Sequence, residues 1–215
     1  MKGIAVVGTR GGVGKTSICH LLALGAAWKN IPAYLMHTDN REPISVNGRA
    51  YTFYDARKPE TLSTLMGAAM NNDGLCIVDS GGNRPKFDKW IAESVDLVLM
   101  PITPDPESVD MALLHMQQLE EYGAKNVRFL LNMVSSNKNE QARDFRKYFY
   151  KIPEDKIIGK LKKVAAVKRL RESDTEPFKT PPSNVNNLSR TLYFMVKSAL
   201  ENIEESEEKE QSMKV

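Results

Sequence analysis

Gly8-Thr9-Arg10-Gly11-Gly12-Val13-Gly14-Lys15-Thr16-Ser17, in one-letter form GTRGGVGKTS, follows directly on the apolar run 4–7. A short apolar strand that ends at Gly8 hands the chain to Gly11, Gly12 and Gly14, whose missing Cβ atoms let the backbone wrap around an anion. Lys15-Thr16 then opens a helix, and a helix amino terminus offers unpaired N–H groups and a favourable dipole to phosphate. Lys15 is placed to reach the outer phosphates, and the Thr16 hydroxyl to ligate magnesium. The general pattern GxxxxGK[ST] asks for glycine where this chain has Thr9, so the match is imperfect. A plain glycine turn at a strand-to-helix junction has no use for the lysine, which favours the phosphate reading.

Outward from this loop, short apolar runs alternate with longer segments of helical period. Strands are predicted at 4–7, 33–36, 75–78, 97–100, 127–131 and 156–159, with a weaker one at 51–54. Helices are predicted at 14–28, 59–70, 86–93, 106–122, 140–149, 164–172 and 186–202. Continuous apolar runs such as LVLM and VRFLL, rather than alternating ones, suit parallel strands buried on both faces. The expectation is an α/β domain with a mostly parallel, twisted sheet flanked by helices in three layers.

The 215 residues suit one domain. No apolar run approaches the ~18 to 20 residues of a membrane span, and the amino terminus lacks a signal-peptide pattern, so a cytoplasmic chain without membrane contact is expected. Cys19 and Cys76 both fall in packed elements and read as core thiols. His20 and His115 lie in helical stretches without metal-ligand spacing, and His37 is isolated from them. The net charge of +3 hides an asymmetry. A late basic segment carries Lys160, Lys162, Lys163, Lys168, Arg169, Arg171 and Arg190, and the end is glutamate-rich. The domain is therefore expected over 1–204, with 205–215 an acidic, disordered tail.

Further candidates sit at strand ends. LMHTDNRE places Asp39 after the second strand, GLCIVDSGG places Asp79 after a buried one, and FLLNMV places Asn132 at the end of another. Carboxylates there can hold a metal shell or orient water, and an amide can offer a base both a donor and an acceptor. In MPITPDPES, Pro101 and Pro104 are expected to close a strand and start a helix.

RGGVGKT resembles the deviant Walker A motif KGGxGK[ST] of the ParA/MinD family of P-loop ATPases, with Arg10 at the signature lysine. LMHTDNRE is similar to the family's DxDPQ segment, with Asp39 on the second aspartate and His37 on the first. GLCIVDSGG looks like its Walker B strand, and the PxxP passage and Asn132 also align, so the resemblance runs from 1 to about 203. It implies a P-loop NTPase fold with ATP and Mg2+ as ligands. The implied nucleotide site is Arg10, Gly11, Gly12, Val13, Gly14, Lys15, Thr16, Ser17 and Asn132. Metal would fall to Thr16, Asp39 and Asp79, and catalysis to Lys15, Asp39 and Arg10, the last crossing a homodimer to the partner's phosphates. The closest likeness is to short ParA-like partition ATPases without an amino-terminal helix-turn-helix. These pair with ATP, bind DNA without sequence preference, position a plasmid, chromosome or other cargo on the nucleoid, and hydrolyse ATP slowly until a ParB-like or other adaptor stimulates them. The late basic residues, Lys160 to Arg171 and Arg190, would face DNA. The glutamate-rich end argues against a MinD-like membrane helix. An ATP-dependent ligase of the dethiobiotin synthetase type, which shares the fold and a GTxxxxGKT-like loop, is the alternative.

Overall fold

The computed structural model describes residues 1–39, 49–70, 72–81, 85–171 and 182–212. Among these residues seven strands form one sheet: β1 (Lys2–Val6), β2 (Ala33–His37), β3 (Thr52–Asp55), β4 (Leu75–Asp79), β5 (Leu97–Ile102), β6 (Val127–Val134) and β7 (Ile157–Lys162). Their order is β3-β2-β4-β1-β5-β6-β7, and every pair is parallel. The sheet is therefore wholly rather than mostly parallel. The helices are α1 (Lys15–Ala27), α2 (Pro59–Met70), α3 (Pro85–Ser94), α4 (Pro106–Glu121), α5 (Lys138–Lys147) and α6 (Ser183–Ser212).

Side chains alternate across the sheet, so β1 serves two cores. Ile4 and Val6 pack with Leu22, Leu192, Val196 and Leu200 beneath α1 and α6. Ala5 and Val7 pack with Met66, Ile91, Val109 and Leu119 beneath α2, α3 and α4. The chain runs from β1 to β2 on one side of the sheet, whereas β4 connects across β1 to β5 on the other, and the strand ends around this reversal open a crevice where such folds take ligands. The loop after β1 sits there.

Three sequence expectations change in detail. Pro101 lies inside β5 and pairs with Leu130 rather than ending the strand. Leu99 accepts from Val7 N on the β1 side, and β1 pairing stops there, so the N–H that proline lacks would have pointed past the end of β1. Asp105 then caps α4 and Pro106 occupies its first turn, in place of Pro104. Segment 164–172 contains a 3₁₀ stretch, Ala165–Arg171, in place of an α-helix. Finally, α6 runs to Ser212 through the acidic segment expected to be irregular from 205. Glutamate, lysine and glutamine are good helix formers, so a helix anchored by buried Leu200 and Ile203 continues although its last turns are exposed. Among the described residues, no helix is long and apolar enough to cross a membrane.

Candidate functional site

The loop between β1 and α1 turns on two left-handed glycines, Gly12 at φ 83° and Gly14 at φ 96°. Gly14 is the residue before α1, so the first N–H groups of the helix face the crevice. A cavity of about 660 Å³ opens over them. Thr9, Gly11, Gly12, Gly14, Lys15, Thr16 and Ser17 form its floor, with Asp39 and Asn132 also on its lining. Val13 points into the protein instead, buried, with its carbonyl accepting from Asn132 Nδ2 at 2.8 Å. Lys15 Nζ donates to the Arg10 carbonyl at 3.1 Å, which folds the ammonium over the loop.

Asp79, at the end of β4, lies in register with Val6 on one side and His37 on the other. Its Oδ2 is 3.3 Å from His37 Nδ1, and its main-chain carbonyl accepts from Thr38 N and Oγ1. Oδ1 is buried and has no hydrogen-bond partner. A buried carboxylate oxygen without a donor is costly unless a cation or water meets it. Thr16 and Asp39 add two more hard oxygen groups at the cavity, a donor set that suits Mg2+. Asp79 itself is not on the cavity lining. Beneath it, His37 stacks on Phe53 with centroids 6.1 Å apart, Phe53 stacks on His20 at 6.0 Å, and His20 Nδ1 is 2.6 Å from the Tyr51 hydroxyl. Burial pushes the Tyr51 hydroxyl up to about 12, against the opposing pull of the Arg49 guanidinium. Cys19, one turn along α1 from Lys15, is also fully buried. Its thiol is pushed well above the usual range by burial first and the Asp79 carboxylate second.

Arg10 stands apart from the cavity. Its guanidinium turns to the start of α4, with NH1 bonded to Asp105 Oδ1 and NH2 3.1 Å from Glu107 Oε2. The late basic residues whose side chains are described have different surroundings. Lys162 and Lys163 line the cavity, Lys160 donates to Gln141 Oε1 at 2.8 Å beside α5, and Arg190 lies over the Trp28 ring at 5.1 Å. The side chains of Lys168, Arg169 and Arg171 lie outside the described residues.

Several lining residues carry no motif. Thr9, met in the sequence only as a departure from the pattern, lines the cavity with a buried hydroxyl that has no partner. Met133 reaches the cavity because the β6–β7 register shifts between Leu131 and Val134 and its backbone turns left-handed at φ 57°. Val164, Ala165, Val167 and Leu188 complete an apolar wall. The only available signal is topological: loops that follow strand ends in a parallel sheet converge on the crevice.

No protein-family model and no curated protein sequence matches the chain. Solved structures do. A Borrelia burgdorferi protein described as a plasmid partition protein, bound to AMPPNP, superposes with a TM-score of 0.68 at 14% identity, over 92% of this chain and 99% of that one. The chain has the ParA/MinD fold. The Pyrococcus horikoshii septum site-determining protein MinD, complexed with Mg-ADP, matches with a TM-score of 0.65 at 11% identity over 91% of this chain and 95% of its own. McdA from Cyanothece, in complex with ATP, matches with a TM-score of 0.66 at 16% identity, covering 93% of this chain and 96% of that one. These solved ParA/MinD-family ATPases share the architecture across nearly the full length of this chain.

Proposed function

We propose that this chain is a ParA-like ATPase, a nucleotide-dependent switch that pairs with ATP and releases its cargo contact on hydrolysis. One observation carries the reading. The loop amides, Lys15, Thr16 and Asp39 surround a single cavity of about 660 Å³, with the unpartnered Asp79 oxygen on the neighbouring strand.

Triphosphate would lie along the glycine turns and the start of α1, with Lys15 leaving the Arg10 carbonyl for the outer phosphates. Thr16, Asp39 and Asp79 would hold Mg2+, which when bound neutralises charge on the phosphates. Asp39 orients the attacking water. His37 fixes the Asp79 carboxylate through Oδ2, a role that a second carboxylate at position 37 could not fill without repulsion. The base would enter the apolar wall of Met133, Val164 and Leu188, with Asn132 at its edge. Lys162 and Lys163 then serve the nucleotide rather than DNA, which leaves Lys160 and Arg190 as described candidates for a DNA-facing surface. Arg10 would reach a partner subunit's phosphates, making hydrolysis depend on pairing, and an adaptor protein would accelerate it. Cargo positioning on the nucleoid follows from non-specific, salt-sensitive DNA binding by the paired form.

Sizing and DNA retention with ATP, ADP and a slowly hydrolysed analogue test this. The native chain is expected to pair and hold DNA only with triphosphate, and Lys15→Ala and Arg10→Ala are expected to do neither. Monomers indifferent to nucleotide and DNA would instead favour the small-molecule ligase.

A further inference from the structure

Arg10 is the one residue assigned a role outside its own subunit, and its side chain is already engaged. Asp105 and Glu107 take one guanidinium nitrogen each, so the planar fork of arginine meets two carboxylates at once. The acceptor side is built to stay in place. Asp105 Oδ1 also accepts from Ser108 N at 2.8 Å as the cap of α4, and its Oδ2 accepts from Thr103 Oγ1 at 2.6 Å. Pro106 fixes the first turn behind it. On the loop side, the Arg10 carbonyl holds Lys15 Nζ at 3.1 Å. The two loop cations are therefore both held, Lys15 by the Arg10 main chain and Arg10 by the carboxylates at the start of α4. A guanidinium that must meet another subunit's phosphates has to leave both carboxylates first, and those carboxylates would also repel an incoming anion.

We propose that Asp105 and Glu107 are positioning residues that latch Arg10 within its own subunit and set the nucleotide level at which two chains pair. The inference rests on the trans role of Arg10 given under Proposed function. Glu107 is largely exposed, so Glu107→Gln leaves the fold intact, and Asp105→Asn keeps an oxygen to cap α4 while losing the charge. Lysine at position 10 would keep a cation for the partner but could not bridge both carboxylates in the same way.

The test is self-association of the full chain against Mg-ATP concentration by sedimentation. It uses native protein, Glu107→Gln, Asp105→Asn, Arg10→Lys, Arg10→Ala and the Arg10→Ala/Glu107→Gln double variant, with thermal unfolding as the check on folding. Glu107→Gln, Asp105→Asn and Arg10→Lys should each pair at about two- to fivefold lower ATP, the span of a partly exposed ion pair. Arg10→Ala should fail to pair with or without Glu107→Gln, and a double variant that regains pairing would show Glu107 acting independently of Arg10 and overturn the latch. Native pairing that depends on Arg10 but keeps the same midpoint in Glu107→Gln and Asp105→Asn overturns the latch alone. A native chain that stays monomeric at every ATP level overturns the trans reading and the latch with it.

Discussion

Asn132, at the carboxyl end of β6, donates its amide to the carbonyl of Val13 in the phosphate loop at 2.8 Å, a bond between residues 119 positions apart. A Cβ on Gly14 would come within 2.6 Å of the same Asn132 nitrogen, so loop and amide are fitted to each other. Asn132→Ala removes the brace and leaves the Val13 carbonyl without its donor. Mg-nucleotide affinity should fall about tenfold, the scale of one lost buried hydrogen bond. Asn132→Asp should do worse, because a carboxylate would face that carbonyl. Calorimetric titration with Mg-ADP checks both, and unchanged affinity in Asn132→Ala would remove the residue from the site.

Asp39 lies on the cavity lining, where it can orient water without being needed to grip the phosphates. Asp39→Ala should bind Mg-ATP within a few fold of native yet lose turnover by at least about a hundredfold, the scale of losing a positioned catalytic group. Phosphate release under saturating nucleotide measures it. Turnover near the native rate would assign water activation elsewhere.

Two glycines should respond to alanine with opposite signs. Gly25 is where α1 approaches α6, and an added Cβ would lie 2.2 Å from the Ser189 carbonyl oxygen and 2.8 Å from Tyr193 Cβ. Backbone cannot yield there cheaply, so Gly25→Ala should cost about 1 to 3 kcal/mol or more. Gly67 in α2 has nothing within 4 Å of such an atom, and Gly67→Ala should add about 0.5 to 1 kcal/mol. Denaturant unfolding reads both, and equal effects would contradict the packing described here.

Cys76 is buried in the β4 face against Met66, with its Sγ 3.1 Å from the Met66 sulfur, and burial pushes its thiol up to about 12. Cys19 is raised well above its ordinary value by burial and then Asp79. Both should stay protonated and resist a thiol reagent at about pH 8 until the chain unfolds. The sign on stability follows. Above about pH 9 the unfolded thiols ionise while the folded ones keep their protons, so the fold should lose stability as pH rises toward 12. Rapid labelling of native protein would show that one of the two helices or strands opens readily.

The strands were legible because parallel, doubly buried segments are written as unbroken apolar runs. The inner five strands fall where LVLM, VRFLL and their counterparts stand, within a residue or a few at the ends, whereas the edge strands β3 and β7 are partly exposed and mixed in sequence. The loop was legible because glycines at left-handed positions beside Lys15-Thr16 have few other uses. Less was visible wherever distant elements meet. Nothing in the local sequence pairs His37 with Asp79, turns Met133 into the cavity, or sets Arg10 against Asp105 and Glu107 across more than ninety residues. The placement of the basic segment was hidden for the same reason. Charge count is a property of the chain, whereas the facing of Lys162 and Lys163 toward the cavity depends on where β7 ends.

Binding of Mg-ATP to the purified chain, with Lys15→Ala beside it, tests the central claim most directly. The native protein should bind at micromolar concentrations or tighter, and the variant should lose about a hundredfold through the missing charge-assisted contacts to phosphate. Native protein and Lys15→Ala that bind equally, or a native chain with no affinity for Mg-ATP, would contradict the account.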